Sequence, residues 1–206
     1  MNVKLKICGM RDAANIASVA VLQPDYMGFI FYDKSPRYVT EDFTLPRIDS
    51  GISKVGVFVN DETELILRKV EQYKLDFVQL HGNESVEQCA ELSERVDVIK
   101  AFAIDETFDF DALKPFENHV TYFLFDTKGR YFGGNAKTFD WNLLEKYNQQ
   151  VPFFLSGGIT PENVSDVDGL RNLNIRAIDV NSGVEDAPGI KNSTKIKTIK
   201  SVLHAL

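Results

Sequence analysis

The chain has 206 residues, 44% hydrophobic and 26% charged, with 23 Lys+Arg against 30 Asp+Glu for a net charge of −7. That balance excludes a disordered chain, and no apolar run approaches the roughly 18 residues of a membrane span. An acidic chain without a basic patch argues against nucleic-acid and anionic-membrane partners, while small anionic ligands need only a few local donors.

Short β-rich apolar runs begin near Val3, Tyr26, Lys54, Phe77, Val98, Tyr122, Phe153 and Ile178, spaced 21 to 31 residues apart. In the first, alternation puts Lys4, Lys6 and Cys8 on one side. The second, GFIFY, leads into Ser35-Pro36-Arg37 and then Thr40–Ser50, where Pro46 leaves room for a turn or two of helix. After the third, Asp61–Lys74 sets Leu65, Ile66, Lys69, Val70 and Tyr73 along one helical face. The fourth, FVQL, ends at His81 and is followed by an amphipathic Ser85–Arg95, with Cys89 as a core position between Val86 and Leu92. The sixth, YFLF, ends at Asp126.

The seventh run, FFLS, meets Gly157-Gly158, and Thr160 then stands as an N-cap before Pro161 and Glu162. In the eighth, Asp179 and Asn181 alternate with Ile178 and Val180, so the polar pair faces inward, and Ser182-Gly183 follow. The tail Lys191–Leu206 alternates lysines with apolar residues as a surface helix does. Strands separated by helix-sized gaps imply βαβ units and a parallel sheet. Eight of them predict an α/β fold, a single compact (β/α)8 TIM barrel over residues 1–206. About 26 residues per unit is close to the minimum for that fold, so trimmed helices are expected.

In such a barrel, functional residues gather at the C-terminal ends of the strands. Cys8, Arg37, His81, Asp126, Gly157, Gly158, Asp179, Ser182 and Gly183 all fall there. The two glycine loops occupy units 7 and 8, the usual phosphate position, where backbone N–H groups can approach an oxyanion. Cys8 beside Lys6, whose ammonium favours the thiolate, and Asp126 at an enclosed mouth form a candidate acid–base pair. The plainer alternatives are a core cysteine and a loop-capping aspartate. Arg37 offers a fork of donors for a carboxylate, and His81 is either a loop hydrogen-bonder or a substrate contact.

His81, His119 and His204 are far apart, and neither HxxxH nor CxxC spacing occurs, so no metal site is predicted. No G-x-G-x-x-G follows the first strand, and no G-x-S-x-G elbow is present. Two cysteines do not make a disulfide scaffold, and the start MNVKLKICGM lacks the apolar stretch of a signal peptide, so a cytoplasmic protein is expected.

These blocks stand in a familiar order: KICGM, SPRYV, VGVFVN, VQLHG, LFDT, KTFDW, SGGI and DVNSGVE. Together they resemble the phosphoribosylanthranilate isomerase family of tryptophan biosynthesis over nearly the whole chain. The resemblance implies a cofactor-free Amadori rearrangement with Cys8 as general base and Asp126 as general acid. It further implies phosphate on Gly157, Gly158, Ser182 and Gly183, the anthranilate carboxylate on Arg37, and Asp179 as another substrate contact. The implied partner is a small phosphosugar–anthranilate substrate, with the protein a monomer or homodimer. The chain departs from the family's GGTG at Gly133-Gly134-Asn135-Ala136, and Met10-Arg11-Asp12 replace a Thr-containing turn.

Overall fold

In the computed structural model, which describes residues 3–127 and 139–205, eight parallel strands close a barrel in chain order. They are β1 (Lys4–Ile7), β2 (Tyr26–Ile30), β3 (Ser53–Phe58), β4 (Phe77–Leu80), β5 (Asp97–Ile104), β6 (Tyr122–Thr127), β7 (Phe153–Leu155) and β8 (Ile175–Val180). The ring closes between β1 and β8, with Lys6 opposite Asp179. Seven strands start within one residue of the expected position. The eighth starts earlier, at Ile175, which pairs with Phe153 of β7. The expected Gly133–Ala136 departure lies outside the described residues.

Among the described residues four α-helices pack outside: α1 (Ala13–Ala20), α2 (Thr63–Tyr73), α3 (Val86–Ser93) and α4 (Ser193–Ala205). Ser85 begins α3 as its N-cap, accepting from the Gln88 N–H at 3.2 Å. Elsewhere the helices are trimmed further than Pro46 alone suggests. Residues 40–50 form no helix, and 3₁₀ turns occupy Phe110–Phe116, Trp141–Lys146 and Val164–Leu170. Asp109 and Asp140 each accept the N–H two residues on, which starts the chain in a tight turn. Thr160 does not open an α-helix. Its hydroxyl accepts from the Glu162 N–H while Asn163 accepts from the Thr160 N–H, so the chain turns before Val164. The tail corrects as well: Lys191 lies in β10 (Ile190–Lys191), paired with β9 (Glu185–Ala187), and only later residues form α4. Among the described residues no helix is long and apolar enough to cross a membrane.

The apolar residues fall into two layers. Ile7, Phe29, Phe123, Phe125 and Phe153 belong to a cluster between strands and outer shell. Tyr26, Val55, Ile99, Leu124, Phe154 and Ala177, with Phe77 and Tyr122 against them, form a separate interior cluster. Ring centroids there are 5.0 Å apart for Tyr26–Phe154 and 5.2 Å for Tyr122–Phe154, a plug near the start of the strands. With that end filled, the cavity lies in the C-terminal half, lined by Cys8, Gln79, His81, Asp126 and Asp179.

One buried ion pair ties the loops of that half together. Lys100 Nζ donates to Glu84 at 2.9 Å and to the carbonyls of Leu80 and Gly82. Glu84 also accepts the N–H groups of Asn60 and Gly82 at 2.9 Å, linking the loops after β3 and β4. Removing one partner of such a pair strands the other charge. Glu84→Ala is therefore expected to lower stability by about 3–5 kcal/mol, read from urea unfolding. A loss below about 1 kcal/mol would mean the pair contributes little more than an exposed one.

Candidate active site

The side chains of Cys8, Gln79, His81, Asp126, Ser156, Asp179 and Asn181 line one cavity at the C-terminal end of the barrel, with Ile30, Tyr32, Ser35, Val57 and Val59. Strand alternation aims Lys6 at the same place from β1. Its ammonium is wholly buried and donates to Asp179 at 2.9 Å and Gln79 Oε1 at 2.8 Å. Burial alone would push Lys6 toward the neutral amine, but Asp179 and Cys8 beside it outweigh that and raise its pKa.

Cys8 sits just past β1, buried, with its backbone N–H donated to Val180. Lys6 was expected to favour the thiolate, and it does act in that direction. Desolvation is the larger effect, however, and the net shift of the Cys8 thiol is upward, with Lys6 and Lys191 pulling down and Asp179 adding to the rise. Room for the thiol comes from β2. A Cβ on Gly28 would lie 2.8 Å from Cys8 Sγ and 3.1 Å from its Cα, so that strand position must be glycine. Cys89, by contrast, packs in α3, and burial pushes its thiol up to about 11.

On β6, Asp126 is 7% exposed and accepts the Thr127 N–H on Oδ1 at 2.8 Å. The loop-capping alternative thus describes one oxygen. The other, Oδ2, lies 3.4 Å from His81 Nε2. A directional chain sets that histidine. Gln79 accepts from Lys6 through Oε1, so its amide nitrogen faces His81 Nδ1 at 2.7 Å and donates to it. Nδ1 is then the acceptor, and the proton of the neutral ring is on Nε2, toward Asp126.

The glycine loops flank the same mouth. Gly157 and Gly158 have φ of +93° and +66°, and a Cβ on Gly157 would fall 2.9 Å from Asp126 Oδ1. Only glycine lets the loop after β7 turn this close to the carboxylate. Gly183 packs directly on the Ile159 carbonyl, joining the loops after β7 and β8. Gly157, Gly158, Ser182 and Gly183 all retain partial exposure.

Arg37 lies beside this group and is neither solvated nor part of the cavity lining. It is 11% exposed at the side chain, and its Nε and Nη2 donate to Glu185 at 2.9 and 2.6 Å. Glu185 also accepts the Gly189 N–H and Lys191 Nζ, at 2.9 and 2.6 Å. Lys191 in turn donates to Asn181 Oδ1 at 2.7 Å. Burial pushes Lys191 down to about 8 although Glu185 and Cys8 pull it upward. Glu185 would itself be raised by burial, but Arg37 and Lys191 hold it below the usual carboxylate range.

Sequence reasoning missed Gln79, Gly28, Glu185 and Lys191 as parts of the site. Inward alternation along FVQL marks Gln79. Glu185 ends the DVNSGVE block. Lys191 had no usable signal, since it resembled the lysines of the following helix.

A closed eight-stranded parallel barrel with a thiol, two carboxylates and two glycine loops at its C-terminal mouth defines a (β/α)8-barrel enzyme. The model of the N-(5'phosphoribosyl)anthranilate (PRA) isomerase family matches residues 5–201. The chain is 45% identical to N-(5'-phosphoribosyl)anthranilate isomerase of Parabacteroides distasonis, over 97% of this chain and 93% of that one. It superposes on the phosphoribosyl anthranilate isomerase of Thermotoga maritima with a TM-score of 0.85 and 36% identity, covering 99% and 100% of the two chains. A phosphoribosyl anthranilate isomerase in complex with reduced 1-(o-carboxyphenylamino)-1-deoxyribulose 5-phosphate gives a TM-score of 0.82 at 33% identity, covering 99% and 100%. The chain belongs to the N-(5'-phosphoribosyl)anthranilate isomerase family.

The Gly28–Cys8 contact predicts that Gly28→Ala destabilises the fold by about 1–3 kcal/mol through overpacking. Denaturation of the Cys8→Ala/Gly28→Ala double variant should recover part of that loss. Strict additivity of the two changes would show that they do not meet.

Proposed function

We propose that the protein converts N-(5'-phosphoribosyl)anthranilate to 1-(2-carboxyphenylamino)-1-deoxyribulose 5-phosphate, a step of tryptophan biosynthesis, with Asp126 as general acid and Cys8 as general base. The observation that carries the assignment is that these two residues line one cavity. Asp126 delivers a proton to the ribose ring oxygen, the C1–O bond breaks, and the anthranilate nitrogen's lone pair closes a C1=N iminium. Cys8, reacting as its thiolate, then takes the C2 proton and becomes the neutral thiol, and the C2–H electrons form the enolamine. Loss of the C2 hydroxyl proton with protonation at C1 gives the ketone, so no atom is gained or lost.

The raised thiol of Cys8 fits this order. Burial makes the thiolate scarce in the resting protein but a stronger base when formed. The positive iminium appears next to it only after Asp126 has acted, adding to Lys6 and Lys191 at the moment a thiolate is needed. His81 Nε2 lies 3.4 Å from Asp126 Oδ2, and Asp179 holds Lys6. Gly157, Gly158, Ser182 and Gly183 offer backbone N–H groups to the phosphate, a use supported by their partial exposure and the contact between their loops. Arg37 receives the anthranilate carboxylate. No metal or organic cofactor is assigned a step. The reaction is placed in the cytoplasm, and the protein acts as a monomer or homodimer; a relative from Thermotoga maritima is described as dimeric.

Freshly formed phosphoribosylanthranilate mixed with the protein should lose its anthranilate fluorescence. Cys8→Ala and Asp126→Asn should each lower kcat by about 10²–10⁴-fold, the usual weight of a general acid or base, while still binding a product analogue. Wild-type protein that binds the substrate without turnover would make this a phosphate-binding barrel. Full activity in both variants would discard the acid–base assignment.

A further inference from the structure

Arg37 is held more firmly than a carboxylate clamp alone requires. Glu185 takes its Nε and one Nη2 proton, which are the two donors of one edge of the guanidinium. Among the described residues no hydrogen bond engages Nη1, so the opposite edge, Nη1 with the second Nη2 proton, remains for a ligand. The stem is pinned as well. A Cβ on Gly9, whose φ is +76°, would lie 2.7 Å from Arg37 Cδ and 2.7 Å from Asn181 Oδ1, so side chain and loop pack in contact. Behind Glu185, the Lys191 ammonium and the Gly189 N–H fix the carboxylate. Lys191 is tied through Asn181 to the end of β8, beside the cavity.

We propose that Glu185 is a positioning and specificity-determining residue: it sets the plane of Arg37 so that the free guanidinium edge meets a carboxylate carried on the aromatic ring of the substrate. This deepens the function proposed above and rests on its assignment of Arg37. Charge accounts for the choice of residue. Arg37 and Lys191 are two cations held close by one anion. A neutral amide in place of Glu185 would turn its NH2 group toward one of them, setting donor against donor. Arg37 would then rotate out of the plane the ligand needs.

The test compares two substrates on the same protein preparation: N-(5'-phosphoribosyl)anthranilate and N-(5'-phosphoribosyl)aniline, which differ only in the carboxylate. The readout is the ratio of their kcat/KM values, which does not depend on the fraction of protein folded. Glu185→Gln and Lys191→Met should each reduce that ratio by about tenfold or more, as expected when a charge-assisted hydrogen bond to a substrate group is misaligned. The loss should lie chiefly in KM for the anthranilate substrate. Glu185→Asp, which keeps the charge, should recover part of it. Arg37→Met should reduce the ratio at least as far, and adding Glu185→Gln to it should change the ratio no further. An unchanged ratio in Glu185→Gln, with Arg37→Met reducing it, would overturn the role of Glu185 alone. An unchanged ratio in Arg37→Met would overturn the carboxylate assignment and this inference with it.

Discussion

Everything in the mouth of the barrel depends on one ammonium group that solvent does not reach. Lys6 stands on β1 among inward-facing residues of three strands, and the Asp179 carboxylate 2.9 Å away supplies its counter-charge. Isolated, such a charge would cost several kcal/mol, so its partners are not optional. Each partner is in turn a part of the site. Asp179 seals β1 to β8 at the closure of the ring, and Gln79 sets the orientation of His81, whose Nε2 lies 3.4 Å from Asp126 Oδ2. The thiol feels the same charge directly. Lys6 thus joins the two residues assigned to acid and base chemistry, although they lie on different strands.

The second constraint is steric. Aromatic rings fill the barrel near the strand starts, so ligands enter from the other end, where glycines are found at every close approach. Gly28 makes room for the thiol, Gly157 lets its loop reach Asp126, and Gly183 lets two loops touch. At each of these positions a single methyl group would collide with a neighbouring atom. They also fit the proposed binding of a phosphate- and carboxylate-bearing substrate by a chain of net charge −7. In that proposal the attraction is local, from backbone donors and from Arg37, which Glu185 anchors.

Much of this was legible before the fold was known. Eight apolar runs at near-regular spacing predict the barrel, and alternation sets Lys4, Lys6 and Cys8 on one side of β1 and turns Asp179 and Asn181 inward, where both line the cavity. What local patterns could not give was the outcome of competition. Thr160-Pro161-Glu162 has the composition of a helix start, yet the Thr160 and Asn163 side chains close a turn there first. Lys191 has the spacing of the helix that follows, yet pairing with β9 carries it inward. The Cys8 thiol was judged from its neighbour Lys6, whereas burial, a property of the whole barrel, decides the direction. The fork of Arg37 makes it an expected carboxylate receptor from sequence, but its partner Glu185 lies 148 residues away and no spacing rule connects them.

The ionisation of Cys8 reports on the buried Lys6 most directly. Thiolate absorbance near 240 nm should be followed against pH in a Cys89→Ala background, with and without Lys6→Met. With Lys6 in place, Cys8 should titrate above the ordinary thiol range, because burial outweighs its cationic neighbours. Removing Lys6 deletes the largest influence favouring the thiolate, so the titration should move higher still. A thiol that ionises at or below the ordinary range, or one that Lys6→Met leaves in place, would contradict the arrangement at its centre.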